Sequence, residues 1–196
     1  MKVLKFGGTS VGSVDSIRQI QHIIGQQTDD CIVVVSALGG ITDQLLKAAH
    51  LALEAGEEYM EVYQAIRCRH MDMVNTLITN PTTRQMLCLE LEGILDELRS
   101  ILFGVHLVKD LSDKTEAAIV SYGERMSSRI VTAALSGAVR KNSLEFIRTD
   151  RKQGQVLLNT SLTEQLVRNA FATLPHLSVV PGFISRDSQS EEITNL

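Results

Sequence analysis

Lys2-Val3-Leu4-Lys5-Phe6-Gly7-Gly8-Thr9-Ser10 opens the chain and sets its fold class. The first five residues read as a strand, and the paired glycines end it. Beyond them Val14, Ile17, Ile20, Ile23 and Ile24 recur every three or four positions, the period of one helix face. Cys31-Ile32-Val33-Val34-Val35 is then a continuous β-branched run, which suits a strand covered on both faces, as in a parallel sheet. It ends at Ser36-Ala37-Leu38-Gly39-Gly40, and Thr42 is placed to cap a helix through Leu45, Leu46, Ala49 and Leu53 that stops near Gly56. Strands alternating with helices predict an α/β domain with a mainly parallel sheet, in which ligands sit at the carboxyl ends of the strands.

Further along, about 57–104 reads as a helical insertion broken at Asn80-Pro81, with Leu87, Leu91, Ile94, Leu98, Ile101 and Leu102 as an apolar stripe. Glu54, Glu57, Glu58 and Glu61 read as a solvated helix face, and Met60, Met71, Met73 and Met86 as helix packing. Another helix covers about Lys114 to Leu135. A third starts at Ser161, where Ser161 and Glu164 have capping-box spacing. Strands are expected near Leu144–Ile147 and at Ser178-Val179-Val180. Arg148, Arg151 and Lys152 read as solvated turn residues.

The whole is 196 residues, long enough to bury an aliphatic core without disulfides or metal. Its composition, 44% hydrophobic and 21% charged, excludes a disordered or collagen-like chain. No apolar run reaches the roughly 20 residues that span a bilayer. A net charge of −4 offers no general basic field, so no nucleic-acid or membrane partner is expected. Cys31, Cys68 and Cys88 are far apart and odd in number, as reduced thiols would be. With no secretory pattern at the start, a cytoplasmic location is expected. The five histidines show no paired-ligand spacing, and no residue is assigned to a metal.

Three segments could carry chemistry. In the first, a strand delivers Lys5 to Gly7 and Gly8, where bare backbone N–H groups and a helix start favour an anion such as a polyphosphate. A tight turn with an exposed lysine explains the same residues. In the second, Ser36 through Asp43 again joins a strand end to a helix start, which suits a carboxylate or phosphate, or is simply a capped loop. In the third, Ser121-Tyr122-Gly123-Glu124-Arg125-Met126-Ser127-Ser128 sets one carboxylate among small residues. Glu124 either meets a substrate ammonium or forms a surface ion pair.

Together these segments resemble the aspartokinases. Val3-Leu4-Lys5-Phe6-Gly7-Gly8-Thr9-Ser10-Val11 is similar to that family's opening signature. Ser36-Ala37 with Gly40-Ile41-Thr42-Asp43 is similar to its second motif, Ser121 through Ser127 to its third, and Pro181-Gly182-Phe183-Ile184 to its Gly-Phe-Ile strand. The long helical region before Lys109-Asp110-Leu111-Ser112 looks most like the bifunctional aspartokinase–homoserine dehydrogenases. The resemblance implies an α/β/α sandwich of the amino-acid-kinase (carbamate-kinase-like) type. It implies ATP-dependent phosphorylation of the L-aspartate side chain with Mg²⁺, the entry to lysine, threonine and methionine. Lys5, Gly7 and Gly8 would then hold ATP phosphates, with Lys5 catalytic. Ser36, Thr42 and Glu124 would line the aspartate site, Glu124 pairing with the ammonium.

The family's Gly-Arg-Gly-Gly-Ser-Asp-Tyr segment, which normally follows an ending such as Glu192-Ile193-Thr194-Asn195-Leu196, is absent. So 1–196 is expected to be the amino-terminal lobe of a kinase domain, truncated before its nucleotide-binding half and inactive alone, from a parent that is a homo-oligomer. Arg140-Lys141-Asn142-Ser143-Leu144 also departs from the family's usual Asp-x-Arg pair. Two other readings stay open: a different substrate within the same superfamily, and a non-catalytic oligomerisation piece built on the helical insertion.

Overall fold

In the computed structural model of the chain, residues 1–54, 56–152, 154–173 and 175–196 are described. The chain begins with β1 (Lys2–Phe6), α1 (Val14–Gly25), β2 (Cys31–Val35) and α2 (Ile41–Leu53). A helical pair follows, α3 (Glu58–Leu77) and α4 (Pro81–Val108), and then α5 (Asp113–Ala134). The break at Asn80-Pro81 falls where the sequence puts it, because the Asn80 side chain caps α4 and Pro81 occupies its first turn. The second helix of the insertion runs to Val108, past the expected end.

The second half is mostly strand: β3 (Val139–Arg140), β4 (Arg148–Lys152), β5 (Gln155–Leu158), α6 (Thr160–Ala170), β6 (Leu177–Pro181), β7 (Ile184–Asp187) and β8 (Ile193–Asn195). The main sheet has the order β1-β2-β6-β3 and is parallel throughout. A smaller mixed sheet has the order β5-β4-β7-β8. The α/β class with a mainly parallel sheet is therefore as the sequence implies.

Register fixes what the sheet presents. Phe6 lies opposite Val35 and Val35 opposite Pro181, so β1, β2 and β6 end at one level. Side chains alternate across a strand. Leu4, Phe6, Cys31, Val33, Val35, Leu177 and Val179 thus share one face, where they pack in a single core with Ile17 and Ile20 of α1, Leu45 of α2 and Met126 and Ile130 of α5. Lys5, Val34 and Val180 share the other face. There Phe146, Phe171 and Val167 line an apolar cavity with Val34 and Val180.

Several expectations are corrected. Thr42 does not cap α2. Gly40 does so, at φ 79° and without a side-chain hydrogen bond, because a left-handed residue lets the chain turn sharply into the helix. Ser161 is not the cap of α6: Asn159 accepts from the Leu162 N–H at 3.0 Å while its amide holds Asp150. The expected strand near Leu144–Ile147 is a 3₁₀ turn, Ser143–Glu145, closed by the Phe146 N–H on the Ser143 carbonyl at 3.0 Å. Arg148, Arg151 and Lys152 belong to β4, not to a turn. Pro181-Gly182-Phe183-Ile184 is no single strand, since Phe183 takes φ 62° and separates β6 from β7. Met86 is 67% exposed rather than packed.

Candidate functional site

The level ends of β1, β2 and β6 release three loops from one rim, and the rim carries a cavity of about 420 Å³. Lys5, Gly8, Ser36, Thr42 and Glu124 all line it. Gly7, expected beside Gly8, is not among its lining residues. Leu38, Gly39, Gly40, Phe183 and Leu196 complete the wall. Sequence reasoning missed Phe183 and Leu196. The sign that could have found Phe183 is its place directly after the end of β6, on the same rim.

The loops are packed backbone to backbone. A Cβ on Gly8 would stand 3.3 Å from the Ala37 carbonyl oxygen, and one on Gly39 would stand 3.0 Å from that of Gly8. Both are tighter than ordinary contact, so a side chain at either position would push the neighbouring loop outward. The third loop is tied in by the Gly182 N–H, which donates to the Val35 carbonyl at 2.8 Å. Among the described residues, the amides of Gly8, Gly39 and Gly40 donate to no protein acceptor. They are donors open to an anion, the property that lets a glycine loop at a helix start hold phosphate. The Lys5 side chain is exposed at the same rim.

Glu124 enters from the opposite face. It sits in the middle of α5, where Gly123 allows close approach: a Cβ on Gly123 would come within 2.7 Å of Ala37 Cβ. Next to it, the Ser127 hydroxyl donates to the Ser36 carbonyl at 2.7 Å. The Glu124 carboxylate is 2% exposed and accepts the Ala37 N–H on Oε1 at 3.0 Å. Its Oε2 is buried without a partner. Burial pushes its pKa up to about 7, against the opposing pull of the Ala37 amide. The surface ion pair that the sequence left open is thereby excluded, for Glu124 is inside and, among the described residues, meets no cation.

The arrangement offers two complementary features. Lys5 and the free amides suit an anion, while the unpaired Glu124 oxygen suits a cation small enough to be buried, such as a primary ammonium. Leu38 and Phe183 give the cavity apolar wall. Among the described residues, no group of three or more His, Cys, Asp or Glu is placed to hold a metal ion. Among the described residues, no helix is long and apolar enough to cross a membrane.

Known proteins share this architecture. The chain is 28% identical to the chloroplastic aspartokinase 2 of Arabidopsis thaliana over 99% of its own length and 37% of that protein's. It is 27% identical to the bifunctional aspartokinase/homoserine dehydrogenase 2 of Escherichia coli, covering 96% of this chain and 23% of the relative. It thus spans about a third or less of these curated relatives. Among solved structures, E. coli aspartokinase III in complex with aspartate and ADP superposes with a TM-score of 0.82 at 25% identity, over 99% of this chain and 43% of that one. The T-state of the same enzyme, with lysine and aspartate, has a TM-score of 0.83 at 24% identity and bears on the fold alone. The model of the amino acid kinase family matches residues 1–195. With the match running the length of the sheet, the loops and the rim cavity, the chain belongs to the amino acid kinase family.

Proposed function

We propose that this chain is the aspartate-side lobe of an aspartate kinase, which converts ATP and L-aspartate to ADP and 4-phospho-L-aspartate in a reducing, cytoplasmic setting. The observation that carries this reading is the buried, unpartnered Oε2 of Glu124 in the same cavity as Lys5. A zwitterionic substrate with an extra carboxylate answers both features at once.

The chemistry asks little of a protein base. The attacking group is a carboxylate with an ordinary pKa of about 3.9, already ionised at neutral pH. One of its oxygens forms a bond to the γ-phosphorus as the bond to the β-phosphate oxygen breaks, and ADP leaves. The obstacle is bringing two anions together in line. Glu124, deprotonated as it meets the ammonium, fixes one end of the amino acid. Ser36 and Thr42 line the same cavity and flank Gly39 and Gly40 in the chain. Lys5 and the amides of Gly8, Gly39 and Gly40 offset negative charge on the transferring group. ATP supplies the phosphoryl group.

The relatives support this reading by name, and aspartokinase III was solved with aspartate and ADP. The chain spans 37% of the first of these relatives, so substrate binding by the chain itself is the direct test. Calorimetric titration tests the cavity. L-aspartate should bind, whereas succinate, which lacks the ammonium, should not. Equal binding of the two, or of neither, overturns the assignment. In a longer version carrying the nucleotide half, Lys5→Ala should lower turnover by about a hundredfold. Unaltered turnover would remove Lys5 from the mechanism.

A further inference from the structure

The helical pair reaches the rim through one side chain. Arg69 stands half-buried in α3, and its Nη2 donates to the Gly12 carbonyl at 3.3 Å. Its Nη1 lies 3.8 Å from where a Cβ on Gly40 would stand. Gly12 ends the loop that follows β1, and Gly40 ends the loop that follows β2. One guanidinium therefore bonds the first loop and stands beside the second, from an element outside the sheet. No local pattern singles Arg69 out, since it lies within the helical insertion.

The two loops need such a tie. They approach backbone to backbone: a Cβ on Gly12 would stand 3.4 Å from Gly39 N, and one on Gly8 would stand 3.3 Å from the Ala37 carbonyl oxygen. Contact between bare backbones has few atoms and little dispersion to fix it. Within the first loop, the N–H groups of Ser10 and Val11 donate to the Gly7 carbonyl, and that of Gly12 to the Thr9 carbonyl at 3.3 Å. No backbone hydrogen bond joins Gly7–Gly12 to Leu38–Gly40. Arg69 is also free of acids, forming no ion pair with any described residue. Its planar fork of five donors can serve two loops at once.

We infer that Arg69 is a positioning residue, which lets the helical pair α3–α4 set the spacing between the glycine loop after β1 and the loop after β2. The functional consequence rests on the reading of the rim cavity as the phosphoryl-transfer site, because loop spacing decides where the amides of Gly8, Gly39 and Gly40 stand. The contact itself does not rest on it.

Amide hydrogen exchange of the ligand-free chain, read by mass spectrometry, tests the inference. In Arg69→Met, exchange at Ser10–Gly12 and at Ile41, whose amides hold the hydrogen bonds of the two loops, should quicken about tenfold, while α5 amides from Ile119 to Ile130 keep their protection. Arg69→Lys, which retains one donor for the Gly12 carbonyl, should recover part of the loss at Ser10–Gly12. Loops unchanged in the Met variant overturn the inference. So does an equal loss throughout α5, which marks general destabilisation, and so does a Lys variant indistinguishable from the Met variant. No ligand is present in this measurement. Failure to bind L-aspartate, which sinks the proposed function, therefore leaves this result standing.

Discussion

Glu124 Oε1 and the Ala37 N–H are hydrogen-bonded at 3.0 Å, which joins the middle of α5 to the loop that leaves β2. The bond spans 87 positions of sequence. It explains how a carboxylate can be buried among small residues yet remain on the wall of a cavity. One oxygen is satisfied by the fold, and the other is left for a ligand.

Glu124→Gln keeps an acceptor for Ala37 and removes the charge. The folded-state pKa of Glu124 is raised to about 7 from an ordinary 4.5. Its contribution to stability is therefore full below pH 4.5 and is lost as pH rises through 7. The Gln variant should lack that decline, so at pH 8 it should melt higher than the parent chain. L-aspartate affinity should nonetheless fall at least tenfold. Melting curves from pH 4 to 8, with calorimetry, check both outcomes.

Titration of L-aspartate near pH 7 should release protons, because the ammonium draws Glu124 into its charged form. The apparent binding heat should vary with the ionisation enthalpy of the buffer, and in Glu124→Gln that dependence should vanish. A buffer-independent heat in the parent chain would contradict the pairing of Glu124 with the ammonium.

His70 has the opposite sign. It is fully buried in α3, its Nδ1 bonds the Ile66 carbonyl at 2.7 Å, and its Nε2 has no partner. Burial, with the Arg69 charge beside it, lowers its pKa to about 4 from 6.5, against the pull of the Ile66 carbonyl. Its contribution is full above pH 6.5 and is lost as pH falls toward 4. His70→Leu should shift the acid unfolding midpoint downward, measured by circular dichroism across pH 3 to 7.

Gly123→Ala tests the close approach of α5. Helix propensity alone would favour alanine by about 1 kcal/mol. The added methyl meets Ala37 Cβ at 2.7 Å, however, and overpacking costs about 1–3 kcal/mol. Net destabilisation is expected in urea unfolding, with recovery in the double variant Gly123→Ala/Ala37→Gly.

Gly40→Ala should destabilise the chain by about 1 kcal/mol, since alanine pays for the left-handed φ of 79° at the start of α2. The urea midpoint should fall without a change in slope.

The first half of the chain was legible because its signals are local. The run Cys31–Val35, the glycines after Phe6 and the Asn80-Pro81 break each act within a few residues. The mixed sheet was not legible. Thr149, Ser185 and Thr194 are buried and hydrogen-bonded to one another, with Thr149 and Thr194 hydroxyls 2.6 Å apart. Hydroxyls satisfied this way occupy places where a pattern reader looks for apolar alternation, so β4 reads as a turn, and β7 and β8 carry no alternating pattern of their own. The site was half legible. Lys5, Ser36, Thr42 and Glu124 stand in motifs whose order shows in the sequence. Phe183, Leu196 and Arg69 reach the rim only through the tertiary arrangement of β6, β8 and α3.

Lys5 approaches the rim from one side of the parallel sheet and Glu124 from the other. Had the two met directly, ammonium and carboxylate would have quenched each other as an ordinary ion pair. The paired ends of β1 and β2 separate their backbones instead, so the edge of the molecule offers a positive group and a latent negative one. A small guest bearing one positive and one negative end has a single favourable way to lie across it.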